Sequence, residues 1–293
     1  MAYALFLGCK IPYFVPQYEA ATRVVLSELG VDVVDIEFGC CGYPMRNLYP
    51  TAHLQAAARA MALAEAQGLD LLTPCMCCLG SLKWAAHQLA QQEDLTQQIN
   101  STLKEEGLTY QGRSQVKHLV SVLYHDLGIE VLEELITRPL KGLKVAVQYG
   151  CHALRPSRIT QFDHPTAPVI IDELVELTGA QSVPWAGRLL CCGSSLRSFN
   201  PELSLSMIQQ RLRESREGGA DLICISCTHT KMQADWAFQT LESSQLAELI
   251  GGTVLYPQLL GLSLGISSQI LGPEAQAIET KLLSSASEAQ ASG

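Results

Sequence analysis

The stretch Phe38-Gly39-Cys40-Cys41-Gly42-Tyr43-Pro44 sets two adjacent thiols between glycines, and Leu190-Cys191-Cys192-Gly193 repeats the arrangement far along the chain. Reading outward from each pair gives one series of features twice, the mark of an internal duplication. Upstream of the first pair, Ala4-Leu-Phe-Leu-Gly-Cys9 reads as a strand ending in a turn. A helix follows with Ala21, Val25 and Leu29 on one face, then the strand Val31 to Ile36. Downstream, Leu54, Ala58 and Met61 mark a second helical face that ends near Gly68. Leu69 to Leu72 is a third strand, leading into Pro74-Cys75-Met76-Cys77-Cys78.

The second half follows the same order. Val145 to Cys151 gives strand and turn, Ile170, Leu174 and Leu177 a helical face, and Leu205, Ile208 and Leu212 another that stops at Gly218-Gly219. The strand Ala220 to Ile225 then leads into Cys224-Ile225-Ser226-Cys227. Strands alternating with helices of this length indicate βαβ units. The expected fold is α/β, with two pseudo-twofold related lobes, each a small, mostly parallel sheet flanked by helices. The boundaries read as 1–138 and 143–272 for two cysteine-rich domains, joined near Pro139 to Gly142, with 273–293 a largely disordered tail.

In parallel sheets the ligand site lies beyond the carboxyl ends of the strands, and the repeated cysteines fall there. Cys9, Cys40, Cys41, Cys75 and Cys78 form one set; Cys151, Cys191, Cys192, Cys224 and Cys227 form the other. Cys77 has no thiol counterpart, Ser226 taking the matching place in this alignment, and reads as a spare. Thiols two residues apart reach one metal centre, and a vicinal pair diverges toward different metals, which suits a cluster of several irons. Structural zinc is the strongest competitor, for the first half especially, although five thiols fit a tetrahedron imperfectly. Disulfide exchange through Cys-x-x-Cys ranks lower, since neither stretch has a thioredoxin-like setting.

Composition narrows the class. The chain has 293 residues, 47% hydrophobic and 17% charged, with net charge −9 and scattered basic residues, so nucleic-acid binding lacks electrostatic support. Eleven cysteines with no export signal point to metal or redox chemistry rather than disulfides. No apolar run is long enough to span a membrane. The best candidate, Val254 to Leu271, is broken by Pro257, Gln258 and glycines, and reads as packed core in preference to a peripheral membrane contact. A cytoplasmic subunit is the expectation.

The motifs Gly8-Cys9 with Pro16-Gln-Tyr-Glu19, Phe38 to Pro44, Tyr149-Gly-Cys-His-Ala-Leu-Arg-Pro156, Leu190 to Gly193 and Cys224 to Cys227 resemble the cysteine-rich CCG domain found twice in the B subunit of the CoB–CoM heterodisulfide reductases. The resemblance runs from residue 4 to about 271. It implies two noncubane [4Fe–4S] clusters, one on each five-cysteine set, facing a cleft where a disulfide is split. It also implies partners, iron–sulfur and flavoprotein subunits of a redox complex, since no flavin or nucleotide fingerprint occurs here. The same domain pair occurs as the anchor subunit of non-classical succinate dehydrogenases, so the acceptor, disulfide or quinone, stays open, as does zinc in one half. His152, Arg155 and His229 are candidates for substrate or proton contacts, with Lys10 and Arg46 as further cations near the thiols.

Overall fold

The computed structural model describes residues 1–291. Eight strands form two sheets: β1 (Ala2–Leu5), β2 (Asp32–Val34), β3 (Asp70–Thr73) and β4 (Val116–His118) in one, and β5 (Lys144–Gln148), β6 (Gln181–Val183), β7 (Leu222–Ile225) and β8 (Thr253–Leu255) in the other. The orders are β2-β1-β3-β4 and β6-β5-β7-β8, and every pairing is parallel. The two-lobed α/β expectation is met, and "mostly parallel" becomes wholly parallel. The expectation did not include β4 and β8, three residues each and too short to show a period.

Both faces of each sheet are covered by helices, so the strands carry apolar residues almost without alternation; in β7 all four residues are buried. The helices form where the apolar spacing predicts. Pro50–Ala66 begins with proline at its first position and buries Leu54, Ala58 and Met61. Pro201–Glu217 is capped by the Asn200 side chain, which accepts from the Leu203 N–H at 3.0 Å.

The lobes exchange helices. Tyr256–Ser263, following β8, packs on Pro16–Glu28 of the first lobe, and Leu119–Ser121, following β4, packs on Ile170–Leu177 of the second. Every residue of Tyr256–Ser263 is buried, so the apolar stretch after Val254 is core, as expected. Helix Met76–Gln91 crosses the lobe boundary against Cys151–Leu154 and Ser157–Thr160. Gly80 permits that crossing, because a Cβ there would lie 2.3 Å from the His152 carbonyl oxygen. The buried side chains of both lobes form one continuous cluster.

The expected tail needs correction. Pro273–Ala291 is a helix that buries Ala275 and Ile278, and residues 292–293 lie outside the described residues. Glu274 ties its start to the body, accepting from Gln17 at 3.2 Å and pairing with Lys231 at 2.8 Å. Among the described residues no helix is long and apolar enough to cross a membrane.

Candidate metal centre

Strand register fixes which residues of the two lobes correspond. Leu5 pairs with Leu72 and Val147 with Cys224; Thr73 pairs with His118 and Ile225 with Leu255. Leu72 therefore matches Cys224, and Thr73 matches Ile225. Counting on, Cys75 matches Cys227, Cys77 matches His229 and Cys78 matches Thr230. The helix starts agree, since Cys75 is the residue before Met76–Gln91 and Cys227 the residue before Thr228–Thr240.

This corrects the alignment of Cys75-x-x-Cys78 with Cys224-x-x-Cys227. Cys224 lies inside β7 with no exposure, where a small apolar side chain packs as Leu72 does in β3. Burial and the nearby Asp172 carboxylate push its thiol well above the usual range. Ser226 matches Pro74, not Cys77.

The remaining thiols gather in two nests at the carboxyl ends of the strands. One cavity is lined by Cys9, Cys40, Cys41, Cys75 and Cys78, the five expected residues of the first half. Cys9 donates to Cys40, the sulfurs 3.5 Å apart, and Cys41 and Cys78 are close neighbours. The second cavity is lined by Cys151, Cys191, Cys192 and Cys227, together with Cys77 from the first lobe. Here Cys151 adjoins Cys191, and Thr230 adjoins Cys192 as Cys78 adjoins Cys41. Among the described residues no three His, Cys, Asp or Glu side chains form a group that could hold a single metal ion; the thiols are distributed around the cavity walls.

The vicinal pairs owe their shape to the following glycine. Gly42 and Gly193 adopt φ of 77° and 81°, and each starts a 3-10 turn, Tyr43–Met45 and Ser194–Leu196. The Gly193 N–H donates to the Cys191 sulfur at 3.4 Å. The S–H groups of Cys41 and Cys9 and the Gly42 N–H hold Cys40 down to about 2, and Cys151, Cys192 and Gly193 do the same for Cys191. Cys75, at a helix start, is held well below the ordinary thiol range by Cys227, Cys77 and Cys78. Thiolate character, which metals require, is thus favoured at Cys40 and Cys191, equivalent residues of the two lobes, and at Cys75.

The nests meet at the pseudo-twofold axis. Cys75 and Cys227, equivalent residues, lie close enough to perturb each other's thiols, and Cys77 lies 3.7 Å from Cys227, sulfur to sulfur. Tyr43 and His229 line both cavities. Tyr43 packs its ring 4.8 Å from His152 and 5.9 Å from His229, with its hydroxyl 3.4 Å from His152 Nε2. His152 Nδ1 lies 3.1 Å from the Cys77 sulfur, and His229 Nδ1 lies 3.2 Å from Ser194 Oγ. Burial, before the nearby Arg46 charge, lowers His152 below the ordinary imidazole range.

Of the expected contacts, His152 and His229 stand in the cleft and Arg155 does not. Its guanidinium is exposed, donates to the Leu189 carbonyl at 3.4 Å and lines neither cavity. Lys10 borders the first nest, and Arg46 lies over the Trp84 ring at 4.3 Å. Sequence reasoning missed Tyr43 and Thr230. Tyr43 was visible as the residue after the Cys-Cys-Gly turn, where its position beside the paired thiols was the available signal.

Comparison with known proteins agrees with this duplication. The model of the CCG family, described as a cysteine-rich domain, matches residues 3–83 and 145–234. The chain is 38% identical over 281 residues to the B subunit of the ferredoxin/F(420)H(2)-dependent CoB-CoM heterodisulfide reductase of Methanosarcina acetivorans, covering 94% of this chain and 93% of that one. It is 32% identical to the 8-methylmenaquinol:fumarate reductase membrane anchor subunit of Wolinella succinogenes, over 96% and 98% of the two chains. A crystal structure of a hypothetical protein from Helicobacter pylori shares the fold, with a TM-score of 0.68 at 17% identity; the match covers 92% of this chain and half the length of that one. Thiols in duplicated nests, on duplicated parallel sheets, place this redox subunit in a known group: the chain belongs to the family of duplicated cysteine-rich CCG domains that includes the B subunit of the heterodisulfide reductases.

Proposed function

We propose that this chain is the iron–sulfur subunit of a heterodisulfide reductase-like complex and that a disulfide-type substrate is reduced in the cleft between its nests. The observation that carries the reading is the meeting of two thiol nests at one cleft, with Tyr43 and His229 common to both cavities. Sulfur dominates the donor set of both cavities, and five thiols at the first exceed the four of tetrahedral zinc. Cys9, Cys40, Cys41, Cys75 and Cys78 would hold one [4Fe–4S] cluster; Cys151, Cys191, Cys192 and Cys227 would be the second lobe's own contribution to another.

Bound clusters supply single electrons, two of which, with two protons, convert a disulfide into two thiols. The chain's own residues hold the protons and the substrate. His152, its Nε2 near the Tyr43 hydroxyl, and His229 stand at the cleft, so each departing sulfur has an imidazole on its own side. Lys10 at the first nest offsets thiolate charge and favours an anionic substrate. Electrons come from a partner, an iron–sulfur or flavoprotein subunit, in a cytoplasmic complex.

Iron and acid-labile sulfide analysis of anaerobically purified protein, with EPR of oxidised and reduced forms, tests the reading. Two clusters per chain are expected; zinc in both nests with no iron would remove it. A second reading has its own observation in the similarity to the fumarate reductase anchor subunit, which spans nearly the whole chain. There the nests relay electrons to a quinone beside a membrane. Co-purification with a succinate-oxidising flavoprotein, in place of a flavoprotein carrying ferredoxin-like clusters, would favour that alternative.

A further inference from the structure

Resting on the cluster-holding reading above, we infer that Cys77, from the amino-terminal lobe, is a metal ligand of the carboxy-terminal nest and completes a five-thiol set that the second lobe cannot supply alone. The second lobe brings four thiols to its cavity: Cys151, Cys191, Cys192 and Cys227. The position that holds Cys78 in the first lobe holds Thr230 in the second, and Cys224 is turned into the core of β7. The second nest is therefore one thiol short by its own sequence.

Cys77 makes good the deficit across the lobe boundary. It follows Cys75 on helix Met76–Gln91, which crosses onto Cys151–Leu154, and its sulfur lines the second cavity rather than the first. It stands 3.7 Å from the Cys227 sulfur. It is buried, so this thiol is enclosed against the nest and not presented to solvent. The pseudo-twofold axis gives the reciprocal arrangement: His229, the equivalent of Cys77, lines the first cavity with Cys9, Cys40, Cys41, Cys75 and Cys78. Each lobe thus lends the neighbouring nest the second residue of the helix that follows its third strand. In one direction that residue is a thiol and in the other an imidazole.

The borrowed thiol reaches its nest from the neighbouring lobe, whereas Cys78 reaches its nest from within its own. Cys78 adjoins Cys41 of the vicinal pair as well as Cys75 at the helix start, whereas Cys77 meets the helix-start thiols Cys227 and Cys75. Thr230 stands beside Cys192 on the second cavity, where a fifth thiol would otherwise stand. Two ligand sets of different shape give two clusters with different EPR signals, and the second cluster cannot be assembled without both lobes in place.

The test compares full-length wild type, Cys77→Ser, Cys78→Ser and Cys224→Ser, purified anaerobically, by iron and sulfide per chain and by EPR. Circular dichroism matching wild type shows that each variant folds; should Cys77→Ser not fold, Cys77→Ala is read in its place. The expected result is that Cys77→Ser and Cys78→Ser each lose or shift a different one of two wild-type signals, with iron and sulfide falling by up to half, while Cys224→Ser keeps both. Unchanged iron and unchanged signals in Cys77→Ser overturn the inference, and so does a loss in Cys224→Ser equal to that in Cys77→Ser. Absence of iron from wild type overturns the cluster reading itself, which is a separate failure. One cluster in wild type, insensitive to Cys77→Ser, overturns the inference and leaves the first nest's cluster standing.

Discussion

The sulfur of Cys77 in one lobe lies 3.7 Å from the sulfur of Cys227 in the other. Cys227 is itself a close neighbour of Cys75, so three thiols from two helix starts meet where the lobes touch. That contact depends on two helices arriving from opposite sides with their first turns facing, and each first turn presents backbone N–H groups that favour thiolate charge. The nests are therefore neighbours in one structure, and the lobe interface is part of the site.

Gly80 sets how closely those helices approach. At an exposed helix interior, alanine in place of glycine stabilises by about 1 kcal/mol. At Gly80 the added methyl would stand 2.3 Å from the His152 carbonyl and must push the lobes apart. Gly80→Ala is expected to cost about 1–3 kcal/mol instead. Urea unfolding of the two proteins checks the sign, and a gain in stability would show that the interface yields without strain.

His118 provides a pH-dependent contribution. It is wholly buried, its Nδ1 accepts from the Val120 N–H at 3.1 Å, and burial holds the imidazole down to about 4. The unfolded chain takes up this proton near its ordinary value of about 6.5. Because the folded value is lower, the unfolded state binds more protons between the two, so stability is full above about 6.5 and falls as pH drops toward 4. The whole step is about 3 kcal/mol. In urea midpoints from pH 7 to 4, His118→Asn, which keeps a capping acceptor, should show a flatter profile than wild type. Parallel profiles would refute the assignment.

Much of the fold was legible because burial on both sheet faces leaves long apolar strands between amphipathic helices. Leu54, Ala58 and Met61 announced a helix, and that helix exists. The pairing of the cysteines was legible only in part. Cys224-x-x-Cys227 has the spacing of Cys75-x-x-Cys78, and matching those strings slides the second lobe by three residues. Cysteine serves equally as a small core residue and as a ligand, so residue type does not separate Cys224 from Cys227. Position relative to the strand does: Cys75 follows Pro74 beyond β3, and Cys224 sits within the apolar run of β7. Crossing contacts such as Cys77 to the second nest belong to the packing of lobes and leave no periodic trace.

Tyr43 connects the cavities, and its hydroxyl is 3.4 Å from His152 Nε2. Tyr43→Phe keeps the ring that packs against both histidines and removes only the hydroxyl. Under the disulfide-reducing reading, turnover with a chemical electron donor should fall roughly a hundredfold or more, within the range of general acid–base contributions. Iron content should stay at the wild-type level. Unaltered turnover would make Tyr43 a spacer between the imidazoles.

Thr230 occupies the place that Cys78 holds in the first lobe, and it adjoins Cys192 as Cys78 adjoins Cys41. The backbone there is already shaped to aim a side chain at the vicinal pair, and threonine to cysteine removes the γ-methyl and replaces the hydroxyl with a larger thiol, so the change fits a site only 5% exposed. Thr230→Cys in the Cys77→Ser background should therefore return the missing thiol from within the second lobe. Iron and sulfide per chain should recover toward the wild-type value. The restored EPR signal should approach that of the first nest, because the new ligand set has the first nest's arrangement. If Cys77 matters only through packing at the lobe boundary, a thiol at position 230 repairs nothing and the double variant keeps the iron content of Cys77→Ser. Recovery with a changed signal thus separates a ligand from a spacer.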